Sequence, residues 1–424
     1  PAPVALYGPG RANSRGLDLA VPEQRAPLLA AVAGAAVPLV AEASAADVAV
    51  AMDRLQAGFD AWCVQPVTER AAIVARAGQL LEAQMARFCG LLAAEAGKTL
   101  GDAVAEVREA VDFCRYYAQQ AAEKLQPIAL PGPTGESNEL RLHGRGVFVC
   151  ISPWNFPLAI FAGQVVAALV TGNAVAAKPA EQTPGVAAAF TALLHEAGVP
   201  ADALALLHGP GETVGAQLVA HPATAGVCFT GSTQVAKLIQ RSLAAGDGPI
   251  VPLIAETGGL NAMVVDSSAL PEQVVDAVVQ SAFRSAGQRC SALRLLCLHE
   301  RIADPVIAML QGALAELRLG AAGDVATDVG PVIDAEAHAH LSRAVTRLEA
   351  SARLLGRTPM DARWAATHIA PVAFEIGAVE DLQQEVFGPV LHVLRWGGDV
   401  AALVARINRL GYGLTLGVQT RIDS

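Results

Sequence analysis

Gly146-Val-Phe-Val-Cys-Ile151, Ala174-Val-Ala-Ala-Lys178, Leu204-Ala-Leu-Leu-His208 and Gly226-Val-Cys-Phe-Thr230 are four short apolar runs, each followed by a segment with helical periodicity. Helices are expected from about 158 to 170, from Pro184 onward, from about 212 to 220 and from 233 to 243, with Thr183 placed to cap the second. Strict alternation of strand and helix at this spacing predicts an α/β fold built on a doubly wound parallel sheet. Ligands of such sheets sit beyond the C-terminal strand ends. Here those ends are residues 152–155, 178–181, 208–211 and 231–233, where polar residues and glycines collect.

Working outward, residues 45 to about 124 repeat apolar positions at three- and four-residue spacing and read as amphipathic helices. Leu130-Pro-Gly-Pro-Thr-Gly135 is a loop, and Glu139-Leu-Arg-Leu-His143 alternates like an exposed strand. Residues 1–45 are turn-rich and read as a leader or linker. A second αβ unit is expected from about 249 to 396, and a strand–turn pattern from 406 to 424.

The 424 residues favour two domains, and 53% hydrophobic against 17% charged residues leaves ample surface for their cores. A net charge of −10 argues against a nucleic-acid partner, because phosphate binding needs a basic face. Cysteines 63, 89, 114, 150, 228, 290 and 297 show no CxxC pair, so zinc and disulfide readings are weak and a reducing cytoplasm is expected. No metal site is expected. Nothing at the start reads as a secretory signal peptide. Residues 158–177 are apolar enough for a membrane test, but Thr171-Gly-Asn173 divides them, and buried αβ core is the better reading.

Several short segments carry chemistry. In Gly287-Gln-Arg-Cys290-Ser291 a cysteine stands at a glycine turn that would enter a helix, where backbone N–H groups favour thiolate. A lone cysteine is more often a small buried hydrophobe. Glu256, in Ile254-Ala-Glu-Thr-Gly-Gly259, ends an apolar strand; partial desolvation there would make it a usable base, and a helix cap or surface acid is the plainer alternative. Ser152-Pro-Trp-Asn155-Phe-Pro157 fixes an amide between two prolines, suited to an oxyanion hole or to capping the next helix.

Lys178-Pro-Ala-Glu181 places a carboxylate where ribose hydroxyls bind, or forms a surface ion pair. Gly211-Glu-Thr-Val-Gly215 and Phe229-Thr-Gly231-Ser-Thr233 are glycine turns before helices, and either could seat a pyrophosphate. Glu385-Val-Phe-Gly-Pro389 offers an acid and an aromatic in a tight loop.

Taken together and in this order, these motifs resemble the aldehyde dehydrogenase superfamily, from about residue 45 to the end. The resemblance implies an aldehyde dehydrogenase-like fold with a doubly wound parallel cofactor domain and an αβ catalytic domain. It implies Cys290 as nucleophile, Glu256 as the base that activates water, and Asn155 as oxyanion donor. Lys178 and Glu181 would hold the adenosine ribose of NAD, and Ser232, Gly211, Gly215 and Gly231 would face its pyrophosphate and adenine. Ile151, Ser152, Trp154 and Phe229 would complete the cofactor wall, and Glu385 and Phe387 would position the nicotinamide end.

A narrower likeness is carried by residues 255–270, 285–294 and 328–334, and by Thr257 where most of the superfamily has leucine. These are similar to the glutamate-semialdehyde (pyrroline-5-carboxylate) dehydrogenase branch. Leu6-Tyr-Gly-Pro-Gly-Arg-Ala-Asn-Ser14 resembles the linker after the proline dehydrogenase domain of bifunctional PutA-type enzymes. That branch implies Phe156 and Ser291 along the aldehyde tunnel and Glu109 facing the substrate amino group; a solvated helix acid is the alternative for Glu109.

The organisation implied is a leader at 1–45, N-terminal helices and NAD-binding domain at 46–250 with a hairpin-like oligomerisation arm at 128–145, a catalytic domain at 251–400, and a return to the cofactor domain at 401–424. The family continues past the equivalent of Thr420-Arg-Ile-Asp423 with strands that grip the substrate carboxylate and pair subunits, and its flavin site belongs to the proline dehydrogenase domain. The chain therefore reads as truncated, with weakened substrate binding, impaired activity and disturbed dimer formation expected. The expected partners are a small aldehyde substrate, an upstream proline dehydrogenase domain and a second copy of the chain. Two alternatives remain open: another branch, such as a succinic semialdehyde or betaine aldehyde enzyme, and a non-catalytic fragment that docks a proline dehydrogenase.

Overall fold

The computed structural model describes residues 5–8 and 10–422, so Pro9 of the linker-like segment and Asp423 lie outside the described residues. The chain forms two compact units: Pro1–Ala96 with Ala103–Glu256, and Gly97–Asp102 with Thr257–Ser424.

The first unit opens with helices α1 (Pro22–Ala33), α2 (Ala45–Cys63), α3 (Val67–Ala83), α4 (Met85–Ala96) and α5 (Leu100–Lys124), although the first residues of α5, 100–102, group with the second unit. α1 lies inside the stretch read as a turn-rich leader. Its polar residues, Glu23, Gln24 and Arg25, crowd into the first turn, and it carries Pro27, so no amphipathic stripe announces it. It buries Leu28 and packs closely on α4, where a Cβ on Gly90 would sit 2.6 Å from the Ala31 carbonyl oxygen. α2 starts with a capping box: the Ser44 hydroxyl accepts from Asp47 N, and the Asp47 carboxylate accepts from Ser44 N at 2.8 Å. From there Val48, Ala51, Met52 and Leu55 face inward at helical spacing.

Strands β1 (Ile128–Leu130) and β2 (Asn138–Leu140) pair antiparallel as a two-stranded ribbon. Then β3 (Val147–Ile151), α6 (Ala159–Val170), β4 (Ala174–Lys178), α7 (Pro184–Ala197), β5 (Leu204–Leu206), α8 (Ala216–Ala220), β6 (Thr224–Gly231), α9 (Thr233–Ala244) and β7 (Leu253–Thr257) alternate as the sequence predicts. The sheet order is β5-β4-β3-β6-β7, with β3 parallel to both β4 and β6. The order reverses at β3, the position where open sheets leave a crevice for ligands. Among the described residues no helix is long and apolar enough to cross a membrane; residues 158–177 divide into α6 and β4.

Two helix starts correct the sequence reading. Thr183 occupies the N-cap of α7, but its hydroxyl caps nothing and is buried without a hydrogen-bond partner. The cap comes from Glu95, whose carboxylate accepts from Gly185 N at 2.7 Å and Val186 N at 2.8 Å. The first turn of α6 is likewise held from a distance, by Glu106, which accepts from Leu158 N at 2.9 Å. Local propensity names cap positions and cannot foresee a carboxylate supplied from another helix.

The second unit contains β8 (Asn261–Val265), α10 (Pro271–Phe283), β9 (Leu293–His299), α11 (Glu300–Glu316), α12 (Ala335–Ser351), β10 (Arg353–Arg357), β11 (Val372–Glu375), β12 (Val390–Trp396), α13 (Val400–Arg409) and β13 (Leu416–Gln419). The sheet order is β10-β11-β12-β9-β8-β13, parallel except where β10 meets β11. Residues 401–424, read as returning to the cofactor domain, instead supply α13 and a strand that pairs with β8 of this unit. Part of the span read as strand and turn, 406–409, is the end of that helix.

Candidate active site

In the first unit the register aligns Ile151 with Lys178 on one side and with Phe229 on the other, so three of the expected cofactor positions share one edge of the sheet. Ser152 N donates to the Lys178 carbonyl at 3.1 Å, and the Ser152 hydroxyl is buried without a partner in the chain. Lys178 is only 3% exposed, and its ammonium lies 3.7 Å from Glu181. Burial pushes the Lys178 pKa down, against the pull of Glu181 and Glu212. The Glu181 carboxylate accepts from Gly211 N at 2.7 Å.

The glycines keep this corner open. A Cβ on Gly215 would stand 3.5 Å from the Lys178 stem, and one on Gly231 would meet the Phe229 ring at 2.6 Å. A π-helical turn over Gly211–Gly215 leads into α8, and the Ser232 hydroxyl caps α9 by accepting from Val235 N at 3.2 Å. His208 belongs to the same neighbourhood: its Nδ1 is buried without a partner, and burial followed by the Lys178 charge pulls its pKa below the ordinary value. A buried hydroxyl, a buried imidazole nitrogen and a buried ammonium beside an exposed carboxylate are groups suited to meet the hydroxyls of a sugar.

Asn155 is buried, Trp154 and Phe156 are half-buried, and Glu109 is exposed on α5. Glu256 is exposed near the end of β7, so the desolvation expected around it is not seen. The neighbouring Thr257 begins the second unit.

In the second unit Cys290 is half-buried and Ser291 exposed. The turn that carries them follows α10 and enters strand β9, which corrects the expectation of a helix after the cysteine. Three consecutive residues before it are left-handed: Ser285 (φ 54°), Ala286 (φ 52°) and Gly287 (φ 65°). For the two non-glycine residues this conformation costs about 1–3 kcal/mol each and persists only where surroundings enforce it. Gly287 is also needed for space, since a Cβ there would lie 2.2 Å from the Gly388 carbonyl oxygen.

The enforcing groups are side chains that the motif reading passed over. Arg294, 1% exposed in the middle of the Ala292-Leu-Arg-Leu-Leu296 run, donates to the carbonyls of Gly287 (2.8 Å), Gly388 (2.9 Å) and Arg289 (3.0 Å). It also donates to Glu385 at 3.1 Å and lies 5.3 Å from the centre of the Phe387 ring. One buried guanidinium thus joins the cysteine turn to the Glu385–Phe387 loop. Burial lowers its pKa, and Glu385 and Cys290 counter that shift. Burial pushes the Glu385 carboxyl up, opposed by Arg294 and the Gly259 N–H. Asn261 holds the far side of the turn, donating to the Cys290 carbonyl at 2.7 Å and the Ala292 carbonyl at 2.9 Å. An arginine interrupting an apolar run is a legible sign of a paired buried charge.

The sequence and the fold match known proteins. The aldehyde dehydrogenase family profile covers residues 22–423, and the chain belongs to that family. It is 48% identical to the bifunctional protein PutA of Escherichia coli (strain K12), covering 100% of this chain and 34% of that protein. It is 36% identical to the 1-pyrroline-5-carboxylate dehydrogenase of Geobacillus kaustophilus, covering 88% of this chain and 73% of that one. Among solved structures, a variant of Bradyrhizobium japonicum Proline Utilization A (PutA) superposes with a TM-score of 0.96 at 53% identity, over 100% of this chain and 43% of the other. A variant of Thermus thermophilus 1-pyrroline-5-carboxylate dehydrogenase gives 0.90 at 29% identity, over 97% and 87%. The chain spans about a third of the length of the PutA relatives it matches.

Proposed function

We propose that this chain oxidises L-glutamate γ-semialdehyde to L-glutamate with NAD, the second step of proline catabolism. The observation that carries the proposal is the junction made by Arg294, which fixes a half-buried cysteine and the Glu385–Phe387 pair in one rigid assembly. In this reading the first unit is the cofactor domain and the second the catalytic domain. Cys290 attacks the aldehyde carbon and forms a thiohemiacetal, whose oxyanion accepts a hydrogen bond from Asn155. When bound, NAD would supply the acceptor for the hydride that leaves the thiohemiacetal carbon. The thioester left on Cys290 is then hydrolysed by water that Glu256 deprotonates, a role its exposure allows. Each turnover converts aldehyde, NAD⁺ and water into carboxylate, NADH and two protons.

Lys178 and Glu181 hold the adenosine ribose, with the unpartnered Ser152 hydroxyl beside them. A carboxylate at that position favours NAD over its 2′-phosphorylated form. Ile151, Trp154 and Phe229 line the cofactor, Gly211, Gly215, Gly231 and Ser232 leave room for its pyrophosphate and adenine, and Glu385 and Phe387 receive the nicotinamide end. Phe156 and Ser291 border the aldehyde, and Glu109, exposed on α5, meets its amino group. The exposed apolar residues of the β1–β2 ribbon, Ile128, Leu130 and Leu140, support its role as an arm that grips a second copy. The share of the PutA relatives that is covered supports a proline dehydrogenase domain in the parent protein. Seven cysteines with no disulfide among the described residues support a cytoplasmic setting.

The test is NADH formation with a panel of aldehydes. Preference for the α-amino semialdehyde, with turnover abolished by Cys290→Ala, supports the proposal. Preference for succinic semialdehyde or betaine aldehyde moves the chain to another branch, and NAD binding without turnover favours a non-catalytic fragment.

A further inference from the structure

The carboxylate of Asp102 is 2% exposed and lies in the short Gly97–Asp102 segment of the second unit. Most of the donors around it come from the turn before Cys290. Its Oδ1 accepts from Arg284 Nε (3.1 Å) and Nη2 (2.7 Å) and from Arg289 Nη2 (2.7 Å). Its Oδ2 accepts from Ser285 N (3.0 Å) and Ser285 Oγ (2.9 Å), and Thr99 Oγ1 adds a bond at 3.1 Å. Both oxygens are therefore spent on residues 284, 285 and 289, which bracket the left-handed stretch 285–287.

A strained turn relaxes unless something holds it. Gln288 and Arg294 hold its later part, with Ile333 N donating to Gln288 at 2.9 Å and Arg294 bonding the Gly287 and Arg289 carbonyls. Ser285, the first left-handed residue, has its N–H and hydroxyl held by Asp102. Burial pushes the Asp102 carboxyl up, but Arg289, Arg284 and Lys98 together hold it below its ordinary value, so it is a carboxylate at neutral pH.

We infer that Asp102 is a positioning residue for the reaction: it locks the 284–289 turn in its left-handed form and so sets where the Cys290 sulfur stands. This rests on Cys290 being the nucleophile. Asp102 touches neither substrate nor cofactor in this account. Its effect passes through the backbone of the turn, so it reads out in kcat and not in cofactor binding, and it depends on the conformational preference of the turn residues.

The experiment compares the full chain with Asp102→Asn and Asp102→Ala, each with and without Ala286→Gly. Glycine adopts the left-handed conformation without penalty, so it relieves the need for the clamp. The expected result is a fall in kcat of roughly tenfold to a hundredfold, with KM for NAD and aldehyde within about threefold of the parent. Ala286→Gly should recover a substantial part of that loss. An unchanged kcat overturns the inference. So does a loss of kcat, both KM values and thermal stability together that glycine does not rescue. Failure of both Asp102 variants to fold also counts against it, because it would make Asp102 a residue of the fold at large.

If the parent shows no turnover, or Cys290→Ala keeps it, the proposed reaction is what has failed. Hydrogen exchange then judges Asp102 separately. Amides at 285–290 should exchange at least about tenfold faster in Asp102→Asn, while those of β8 and β9 stay protected. Equal exchange across that segment would refute the clamp.

Discussion

The strand-end corner of the first unit and the cysteine turn of the second are built on opposite plans. At the corner, polar groups are left wanting: the Ser152 hydroxyl and His208 Nδ1 are buried without partners, and the Lys178 ammonium, which donates to the Pro179 carbonyl at 3.1 Å, meets Glu181 only at 3.7 Å. In the turn, Asp102 and Arg294 are bonded on every side, and the backbone they hold is strained. A place that must exchange a ligand keeps capacity for it, whereas a place that must aim one atom uses its hydrogen bonds internally. The saturated region should be costly to disturb in the resting protein, and the open region should show its losses in binding.

Arg294→Met attacks the saturated side hardest. It leaves Glu385 buried without its cation and frees three carbonyls, so denaturant unfolding of the second unit should lose about 3–5 kcal/mol, with turnover lost as well. Gly287→Ala comes next, since it adds a left-handed penalty and a Cβ 2.2 Å from Gly388 O; a loss of at least about 2 kcal/mol is expected by the same measurement. On the open side, Lys178→Met should raise KM for NAD roughly tenfold to a hundredfold, the worth of a charged hydrogen bond. Its kcat at saturating NAD should stay within about threefold of the parent, by steady-state kinetics. If Lys178→Met proved as destabilising as Arg294→Met, the contrast between the two regions would collapse.

The smallest effect is in pH. Asp102 has its pKa held below the ordinary 3.8, so its contribution to stability is fully present above that value and fades as the pH falls beneath it. Glu385 has its pKa raised above the ordinary 4.5, so its proton favours the folded state, and stability is given up as the pH climbs from 4.5 through the folded value. Glu385→Gln should flatten that rise-dependent loss in a series of unfolding curves and leave the acid-side loss from Asp102 in place.

The two regions were also unequally legible. The alternation of apolar runs exposed β3 to β6 and their helices, because period and spacing are local properties. The same local patterns single out Lys178, Glu181 and Cys290 as candidates through their motifs. They pass over Asp102, Glu95 and Glu106, carboxylates whose partners lie far along the chain. They miss α1, whose helix has no amphipathic stripe, and the end of the chain, where β13 finds its place by pairing with β8. Local signals also point to a helix after Cys290 and a desolvated Glu256, where the structure has β9 and an exposed carboxylate. Nothing in a neighbourhood of ten residues records such long-range choices.

The central claim is that Cys290 carries the substrate as a thioester. The direct measurement is mass spectrometry of the Glu256→Gln chain, quenched after mixing with NAD and glutamate semialdehyde. The account predicts a burst of about one NADH per chain and a glutamyl adduct on the Cys290 peptide, because hydride transfer proceeds while hydrolysis stalls. NADH formed with Cys290 unmodified, or formed equally well by Cys290→Ala, would contradict it.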